Sequence, residues 1–336
     1  MTIIDVHTHI FTDELISALA DVGMRSRLGF DRRPDGQVML TFDGKPRLGP
    51  IPEGIRDVDV RLRDMDRQGV EEHVLATAPM LFCYNEPADV ALEIARCCND
   101  GFVDIARQHP DRFSVFAQLP MQDVDRSLIE LERVAADPVV RGVQIGSHVD
   151  GTNLDDPAFE PLWADLERRD LPVLIHPYAP AAHDRLRAHY LINLIGNPLD
   201  STIAIASLIF GGVLERYPSL RFCFVHGGGF APYQIGRFDH GWSCREESRT
   251  IERPPSEHLK KMYFDTLTHD GLSLAMLGER VGWDHVLLGS DYPFDMATPE
   301  PVRAVEALGL DTERQAKVLE TNAETFLRPA AAASKR

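Results

Sequence analysis

The chain has 336 residues, of which 44% are hydrophobic and 26% are charged, a composition typical of a globular protein with a large core. Its formal net charge is −17, and so acidic a surface repels phosphate backbones and anionic lipids. Roles on nucleic acids and membrane surfaces are therefore disfavoured, and an anionic substrate would need a local basic pocket.

The start of the chain, MTIIDVHTHIF, has no basic region, and Asp5 interrupts its apolar run, so we expect no secretory signal. The longest apolar stretch, 203–214, is too short to span a bilayer and predicts a buried helix. The five cysteines include no CxxC pair, which is typical of reduced thiols. These features together predict a cytoplasmic protein.

Short, β-branched apolar runs recur along the chain. The eight predicted strands lie at 3–9, 73–79, 113–120, 142–148, 172–177, 222–229, 262–267 and 286–291. Segments with a 3.6-residue apolar period lie between most of them, at 58–68, 87–108, 125–136, 157–169, 208–217 and 272–280. This alternation predicts a parallel sheet of the α/β class, and eight units favour closure into a (β/α)8 TIM barrel. An open, doubly wound sheet is the alternative, although no GxGxxG motif follows the first strand.

One segment interrupts the alternation after the first strand. Residues 30–55 contain two extended runs joined by Asp43-Gly44, which predicts an inserted hairpin. Barrel active sites lie at the carboxyl ends of the strands, so we expect the hairpin to roof the site. The chain 1–336 is then a single barrel domain with a frayed tail at 329–336.

Imidazole and carboxylate side chains stand at the ends of four predicted strands. His7 and His9 lie two residues apart on the first strand, so both can face the barrel mouth. His176, His226 and Asp291 end the fifth, sixth and eighth strands. A catalytic metal site needs three or four such ligands and an open position, so one residue is spare as a general acid or base. A single strand-end histidine is more often structural, but the coincidence of all five favours a metal site.

Longer motifs carry a resemblance to a known family. They include DVHTHIF at the start, DMDRQGV (64–70), FSVFAQLPMQD (113–123), RFCFVHGGGFAPYQIGR (221–237) and LLGSDYPF (287–294). With them the chain resembles the amidohydrolase superfamily, and within it the branch of 2-amino-3-carboxymuconate 6-semialdehyde decarboxylase, over nearly its whole length. The resemblance implies a metal-dependent TIM barrel with one divalent ion, usually zinc, and no organic cofactor.

The resemblance also implies roles for the strand-end residues. His7, His9, His176 and Asp291 match the family's metal ligands, and zinc or another divalent ion such as manganese would be their cation. His226 matches a histidine that activates the metal-bound water, so His226 and Asp291 form the expected catalytic pair.

Substrate-side residues follow from the same resemblance. Arg47 and Arg237 resemble the pair that grips a substrate carboxylate, and in the family the second arginine enters from the neighbouring subunit, which implies a homodimer. Tyr178, His269 and Phe294 are the candidates for the substrate pocket, although His269 could instead bond within its own loop and Phe294 could belong to the core. Tyr178 and His269 replace less polar residues of the family, which implies a different substrate.

The implied activity is a non-oxidative decarboxylation of a small unsaturated or aromatic carboxylate, in the catabolism of an aromatic compound. A hydrolase that uses the same site on an amide, lactone or C–C bond is the alternative. A metal-holding protein without enzymatic activity is a third hypothesis, and the full set of five site residues disfavours it.

Overall fold

Eight apolar segments pair in parallel along the chain, each next to its sequence neighbour. The computed structural model describes residues 2–23 and 27–327. The strands are β1 (Ile4–His9), β2 (Glu72–Ala76), β3 (Phe113–Gln118), β4 (Val140–Gly146), β5 (Val173–His176), β6 (Phe222–Phe224), β7 (Tyr263–Asp265) and β8 (Val286–Leu287). The Val6 amide donates to the Leu288 carbonyl and the His9 amide to the Tyr292 carbonyl, at 3.0 and 2.8 Å. These bonds join β8 to β1, so the predicted barrel is confirmed and the open sheet is wrong.

Two apolar clusters hold the barrel together. One joins side chains from most of the strands, among them Val6, Val74 and Leu174, to Phe326 on the last helix. The Phe326 ring lies 5.0 Å from the ring of Tyr263, the first residue of β7, so this helix packs at the amino ends of the strands. The other, larger cluster packs the outer faces of the strands against the surrounding helices. The carboxyl ends of the strands are thereby left for the site.

Helices cover the outside of the barrel. They are Asp13–Gly23, Glu53–Arg56, Val58–Gln68, Ala88–Gln108, Val124–Val134, Glu160–Arg169, Asn197–Phe210, Val213–Arg216, Ala231–Cys244, Pro255–Leu259, Gly271–Val281, Pro301–Glu306, Thr312–Ala316 and Asn322–Leu327. The helix Val58–Gln68, in the first strand-to-strand crossover, shows why their bounds can be predicted from sequence. Asp57 accepts a hydrogen bond from the Val60 amide at the start of Val58–Gln68, and Gly69 ends it in the left-handed conformation, as such caps do in general.

The helix predicted at 208–217 is wrong in its bounds. A helix instead begins at Asn197, ends at Phe210, and is followed by a short helix after Gly212, whose φ is 70°. The continuous helical stretch Ile192–Phe210 is long and apolar enough, by length and composition, to cross a membrane. Its second half is buried in the core through Ile205, Leu208 and Ile209, which is the behaviour of a core helix.

The predicted hairpin is one part of a three-stranded antiparallel sheet, Leu28–Arg32, Val38–Phe42 and Lys45–Leu48. Asp43 and Gly44 form the turn between the last two strands, both with positive φ, as the sequence predicts. The first strand begins before the predicted range, and the turn that follows it contains Pro34-Asp35-Gly36, a turn signal in its own right. The proposed tail, 329–336, lies outside the described residues.

Candidate metal centre

Four side chains from three strand ends converge at the carboxyl rim of the barrel. The ligand atoms of His7, His9, His176 and Asp291 all lie within 4.8 Å of one another. Asp291 Oδ1 is 3.0 Å from His9 Nε2 and 3.3 Å from His7 Nε2. All four residues are buried. The structure therefore brings the four predicted ligands together at one point.

The inner atoms of this cluster lack hydrogen-bond partners. Nε2 of His7, His9 and His176 and Oδ1 of Asp291 are each buried without one. Buried polar atoms are almost always satisfied, because leaving them unpaired is costly. Three imidazole nitrogens and one carboxylate oxygen are a donor set that suits a divalent ion such as Zn²⁺. The residues present therefore fit a single divalent cation.

The outer nitrogen of each imidazole is held by an oxygen. His7 Nδ1 lies 2.7 Å from Asp265 Oδ2, and His9 Nδ1 lies 2.9 Å from the Thr77 carbonyl. His176 Nδ1 lies 2.8 Å from the carbonyl of the residue that follows it. An acceptor at Nδ1 fixes the proton there and leaves the Nε2 lone pair directed at the centre. All three imidazoles are thus oriented for metal binding.

The charges within the cluster are strongly coupled. Burial lowers the pKa of His176 well below its usual value, and the neighbouring imidazoles lower it further. Burial also lowers the pKa of His9. Burial acts in the same direction on His7, but Asp291 and Asp265 outweigh it and raise the pKa of His7 to about 10. Because metal ligands must be deprotonated, a bound cation would compete with protons for these imidazoles.

His226 stands beside the four residues. Its Nε2 is 3.7 Å from Asp291 Oδ2, and its ring centroid is 5.3 Å from that of His7 and 5.1 Å from that of His176. It opens a turn in which four consecutive residues have positive φ. A Cβ at Gly229 would lie 2.0 Å from the Pro198 carbonyl oxygen, so only glycine fits there. The glycines of this motif therefore let the turn pack against the preceding helix, Asn197–Phe210, and direct His226 at the cluster.

A cavity of about 750 Å³ opens beside the cluster. Tyr178 and Phe294, two of the residues predicted for the substrate pocket, lie in its wall, and the Phe294 ring is 5.0 Å from the His9 ring. Phe42 and Leu48 of the inserted sheet also line it. The site thus has the four predicted metal ligands at its floor, an aromatic wall, and a covering strand pair from the insertion.

The family of the chain follows from its match to known sequences. The amidohydrolase family matches residues 4–328. This protein belongs to the amidohydrolase family. The family and barrel predicted from the sequence motifs are thereby confirmed.

Relatives of this amidohydrolase include several decarboxylases. The chain is 35% identical over 307 residues to 2-amino-3-carboxymuconate-6-semialdehyde decarboxylase of Dictyostelium discoideum, across 91% of this chain and 85% of the relative. It is 27% identical over 294 residues to gamma-resorcylate decarboxylase of Rhodococcus jostii, across 80% and 87%. The structure of 5-carboxyvanillate decarboxylase from Novosphingobium aromaticivorans, complexed with manganese and 4-hydroxy-3-methoxy-5-nitrobenzoic acid, superposes with a TM-score of 0.81 at 23% identity, across 97% and 96%.

Three other predicted residues of the amidohydrolase lie away from the main cavity or cannot be placed. His269 is exposed and lines a neighbouring cavity of about 420 Å³, which shares His226 with the main one. Arg237 is exposed on the helix Ala231–Cys244 and lines neither cavity. The side chain of Arg47 lies outside the described part of the chain.

Asp265 is a functional residue that the sequence analysis missed. It is fully buried at the end of β7. Its Oδ2 holds His7, and its Oδ1 accepts a hydrogen bond from the Gly227 amide at 2.8 Å. It therefore ties a predicted metal ligand to the turn that carries His226. The available signal was a carboxylate within the otherwise apolar run 262–267.

Proposed function

We propose that this amidohydrolase is a metal-dependent, non-oxidative decarboxylase that removes CO₂ from a small aromatic or unsaturated carboxylate. The observation that carries the proposal is the cluster of four unpaired ligand atoms at the floor of the cavity, with a fifth imidazole beside it. Relatives named as decarboxylases of muconate, resorcylate and vanillate derivatives support this reaction over hydrolysis.

The ligand set in this proposal is His7, His9, His176 and Asp291, and the ion is Zn²⁺, with Mn²⁺ as the alternative. The nitrogen-rich donor set supports zinc, whereas the relative from Novosphingobium is complexed with manganese. When bound, such an ion supplies a Lewis acid that polarises an oxygen and stabilises developing negative charge. The chemistry requires no organic cofactor.

His226 moves the proton in this proposal. When the C–C bond to the carboxylate breaks, CO₂ leaves and its electron pair remains on the ring or chain carbon. A proton must then be added to that carbon, and His226 lines the cavity where it would lie. The Oδ2 of Asp291 lies 3.7 Å from His226 Nε2, so this imidazole stands between the ligand cluster and the cavity. Phe294 and Tyr178 supply a flat wall along which an unsaturated substrate can lie.

The direct test is product analysis with the purified full chain. The protein is stripped with a chelator, reloaded with Zn²⁺ or Mn²⁺, and screened against carboxylated muconates, salicylates and other hydroxybenzoates. We expect CO₂ release and a product one carboxyl group shorter, absent in the stripped protein and restored by the ion. A product acid that retains every carbon of the substrate would contradict decarboxylation and indicate hydrolysis.

We further propose a homodimer in which the substrate carboxylate is gripped by Arg47 of one subunit and Arg237 of a second copy. Arg237 is exposed and lines neither cavity of its own chain. Phe230 and Tyr233 on the same helix are exposed apolar residues at 38% and 74% of their surface, and such patches mark interfaces. We place this dimer in the cytoplasm, since all five cysteines are free thiols.

Sharing of Arg237 predicts complementation between two inactive variants. Arg237→Ala and His226→Ala homodimers should each lose turnover, the first through substrate binding and the second through proton transfer. In a mixed dimer, one cavity has both its own His226 and an intact Arg237 from the other copy. Co-expression at equal levels should therefore restore about a quarter of wild-type turnover, as expected for two-fold symmetric dimers. If Arg237 acts only within its own subunit, mixing will restore none.

A further inference from the structure

Arg61 is a fully buried cation on the helix Val58–Gln68, behind the strand that carries two of the metal ligands. Burial lowers its pKa to about 10, so it remains charged. Within the described part of the chain, its guanidinium donates to no carboxylate. Only the buried Asp5 interacts with it electrostatically among the described carboxylates. A buried charge without a hydrogen-bonded ionic partner is expensive, and its presence calls for a role that an apolar side chain could not fill.

One side of the Arg61 guanidinium is fixed on β1. Its Nη2 donates to the backbone carbonyl of His9, and its Nη1 lies 3.3 Å from Thr8 Oγ1. Nη1 also lies 3.3 Å from Nδ1 of His73, whose pKa burial lowers well below the usual value. The neutral imidazole therefore accepts a hydrogen bond. Oxygen and nitrogen acceptors take the place of an anion, and the first of them belongs to a metal ligand.

The face of the same guanidinium covers the residue that follows Asp291. Arg61 Cζ lies 4.8 Å from the centroid of the Tyr292 ring, a cation–π contact. Tyr292 Oη donates to Asp64 Oδ2 at 2.6 Å, and Asp64 lies three residues after Arg61 on the same helix. A Cβ at Gly54 would lie 2.0 Å from Tyr292 Oη, so the ring fits a place shaped for it. The helix thereby holds Tyr292 at both its face and its hydroxyl.

We propose that Arg61, Asp64 and Tyr292 form a clamp that positions the His7–His9 pair relative to Asp291 and so sets the affinity for the divalent ion. The clamp grips the backbone of one ligand, His9, and the direct chain neighbour of another, Asp291. Metal–ligand distances tolerate deviations of only about 0.2 Å, so a small displacement between β1 and the segment after β8 weakens binding. The proposal rests on the metal site of the proposed function and adds the residues that tune it.

The test compares metal affinity with stability in the full-length protein. Arg61→Met, Arg61→Lys and Tyr292→Leu are stripped of metal and titrated with Zn²⁺ and with Mn²⁺ against a chromogenic chelator. We expect Arg61→Met and Tyr292→Leu to raise the Kd by about 10- to 100-fold, the range found for groups that orient metal ligands. Arg61→Lys keeps the charge but not the planar fork, so its Kd should fall between that of Arg61→Met and that of the wild type.

Asn322→Ala is the matched control. Asn322 donates two buried hydrogen bonds, to the carbonyls of Trp283 and Val286 at the amino end of β8. Its loss should lower the free energy of unfolding of the metal-free protein in urea and leave the Kd for both ions unchanged. The control therefore lowers the stability of the protein near β8 without changing its affinity for the metal ion.

The possible results distinguish the clamp from a purely structural role of its residues. A folded Arg61→Met variant with wild-type Kd overturns the clamp, and so does an equal loss of affinity in Asn322→Ala, because the effect would then follow stability alone. If Arg61→Met does not fold, Arg61→Lys and Tyr292→Leu decide by the same comparison. A wild-type chain that binds neither ion overturns the metal site and the clamp together, whereas tight wild-type binding with unaffected variants overturns the clamp only.

Discussion

Asp291→Ala is expected to lower decarboxylase turnover by about 10³-fold or more and to remove the bound ion. Asp291 is the one anion among the four ligand residues, and its Oδ1 lies within 3.3 Å of two ligand nitrogens. Without it, three neutral imidazoles would face a doubly charged ion in a buried site. A metal contributes several kcal/mol to transition-state stabilisation, and about 4 kcal/mol corresponds to the stated factor. Elemental analysis and kcat/KM on the purified variant measure both effects.

Asp284→Ala is the control for this substitution. Asp284 is an exposed carboxylate at the opposite, amino end of β8, where it pairs with Lys317 at 2.9 Å. Surface pairs of this kind contribute little to stability, so its metal content and turnover should equal those of the wild type. An Asp291→Ala protein that keeps stoichiometric metal and full turnover would remove Asp291 from the ligand set.

The position of the metal site was predictable because a barrel imposes it. Parallel strands that close into a barrel end on one rim, so residues at the ends of separate apolar runs must meet there. His7, His9, His176 and Asp291 needed only correct strand ends to be placed together. His226 was predictable on the same ground, although it lies just after β6 in a glycine turn rather than on the strand.

The residues that support the ligands were harder to predict, since their partners are distant in sequence. Asp265 acts on His7 across 258 positions, and its own strand gives no sign of that partner. Arg61 lies with Met65 on the buried face of an amphipathic helix. The helical period places position 61 on that face, but a charged residue there is normally assumed to be exposed. The residues at strand ends that carry the chemistry can thus be predicted from sequence, whereas the contacts that orient them can be identified only in the structure.

The predicted substrate-binding residues show a different limit of prediction from sequence. Tyr178 and Phe294 follow the ends of β5 and β8 and lie in the cavity wall, and their contact with substrate stays a prediction. Arg237 belongs to a helix on the outside of the barrel. The strand-end rule that places the other site residues therefore does not place Arg237 in a cavity. If a second copy supplies it, the site is a property of the assembly, and neither one sequence nor one chain determines its geometry.

His226→Gln is expected to lower turnover by about 10²- to 10⁴-fold, the usual contribution of a positioned general acid or base, while leaving the metal content unchanged. The imidazole lines the cavity. Its Nε2 lies 3.7 Å from Asp291 Oδ2, whereas the other oxygen of that carboxylate, Oδ1, faces the ligand histidines. Glutamine retains polarity and approximate size but cannot transfer a proton at neutral pH. The variant therefore removes proton transfer and keeps the ligand set.

The measurement pairs single-turnover product formation with elemental analysis, and His109→Gln serves as the histidine control. His109 follows the helix Ala88–Gln108 and precedes β3, so it lies at the opposite face of the barrel and should leave both values unchanged. Loss of metal in His226→Gln would make His226 a ligand. Undiminished turnover with full metal would place the proton donor elsewhere, and His269, in the cavity that shares His226, would be the residue to substitute next. Loss of turnover with full metal, set against loss of both in Asp291→Ala, would assign proton transfer and metal binding to different side chains of one cluster.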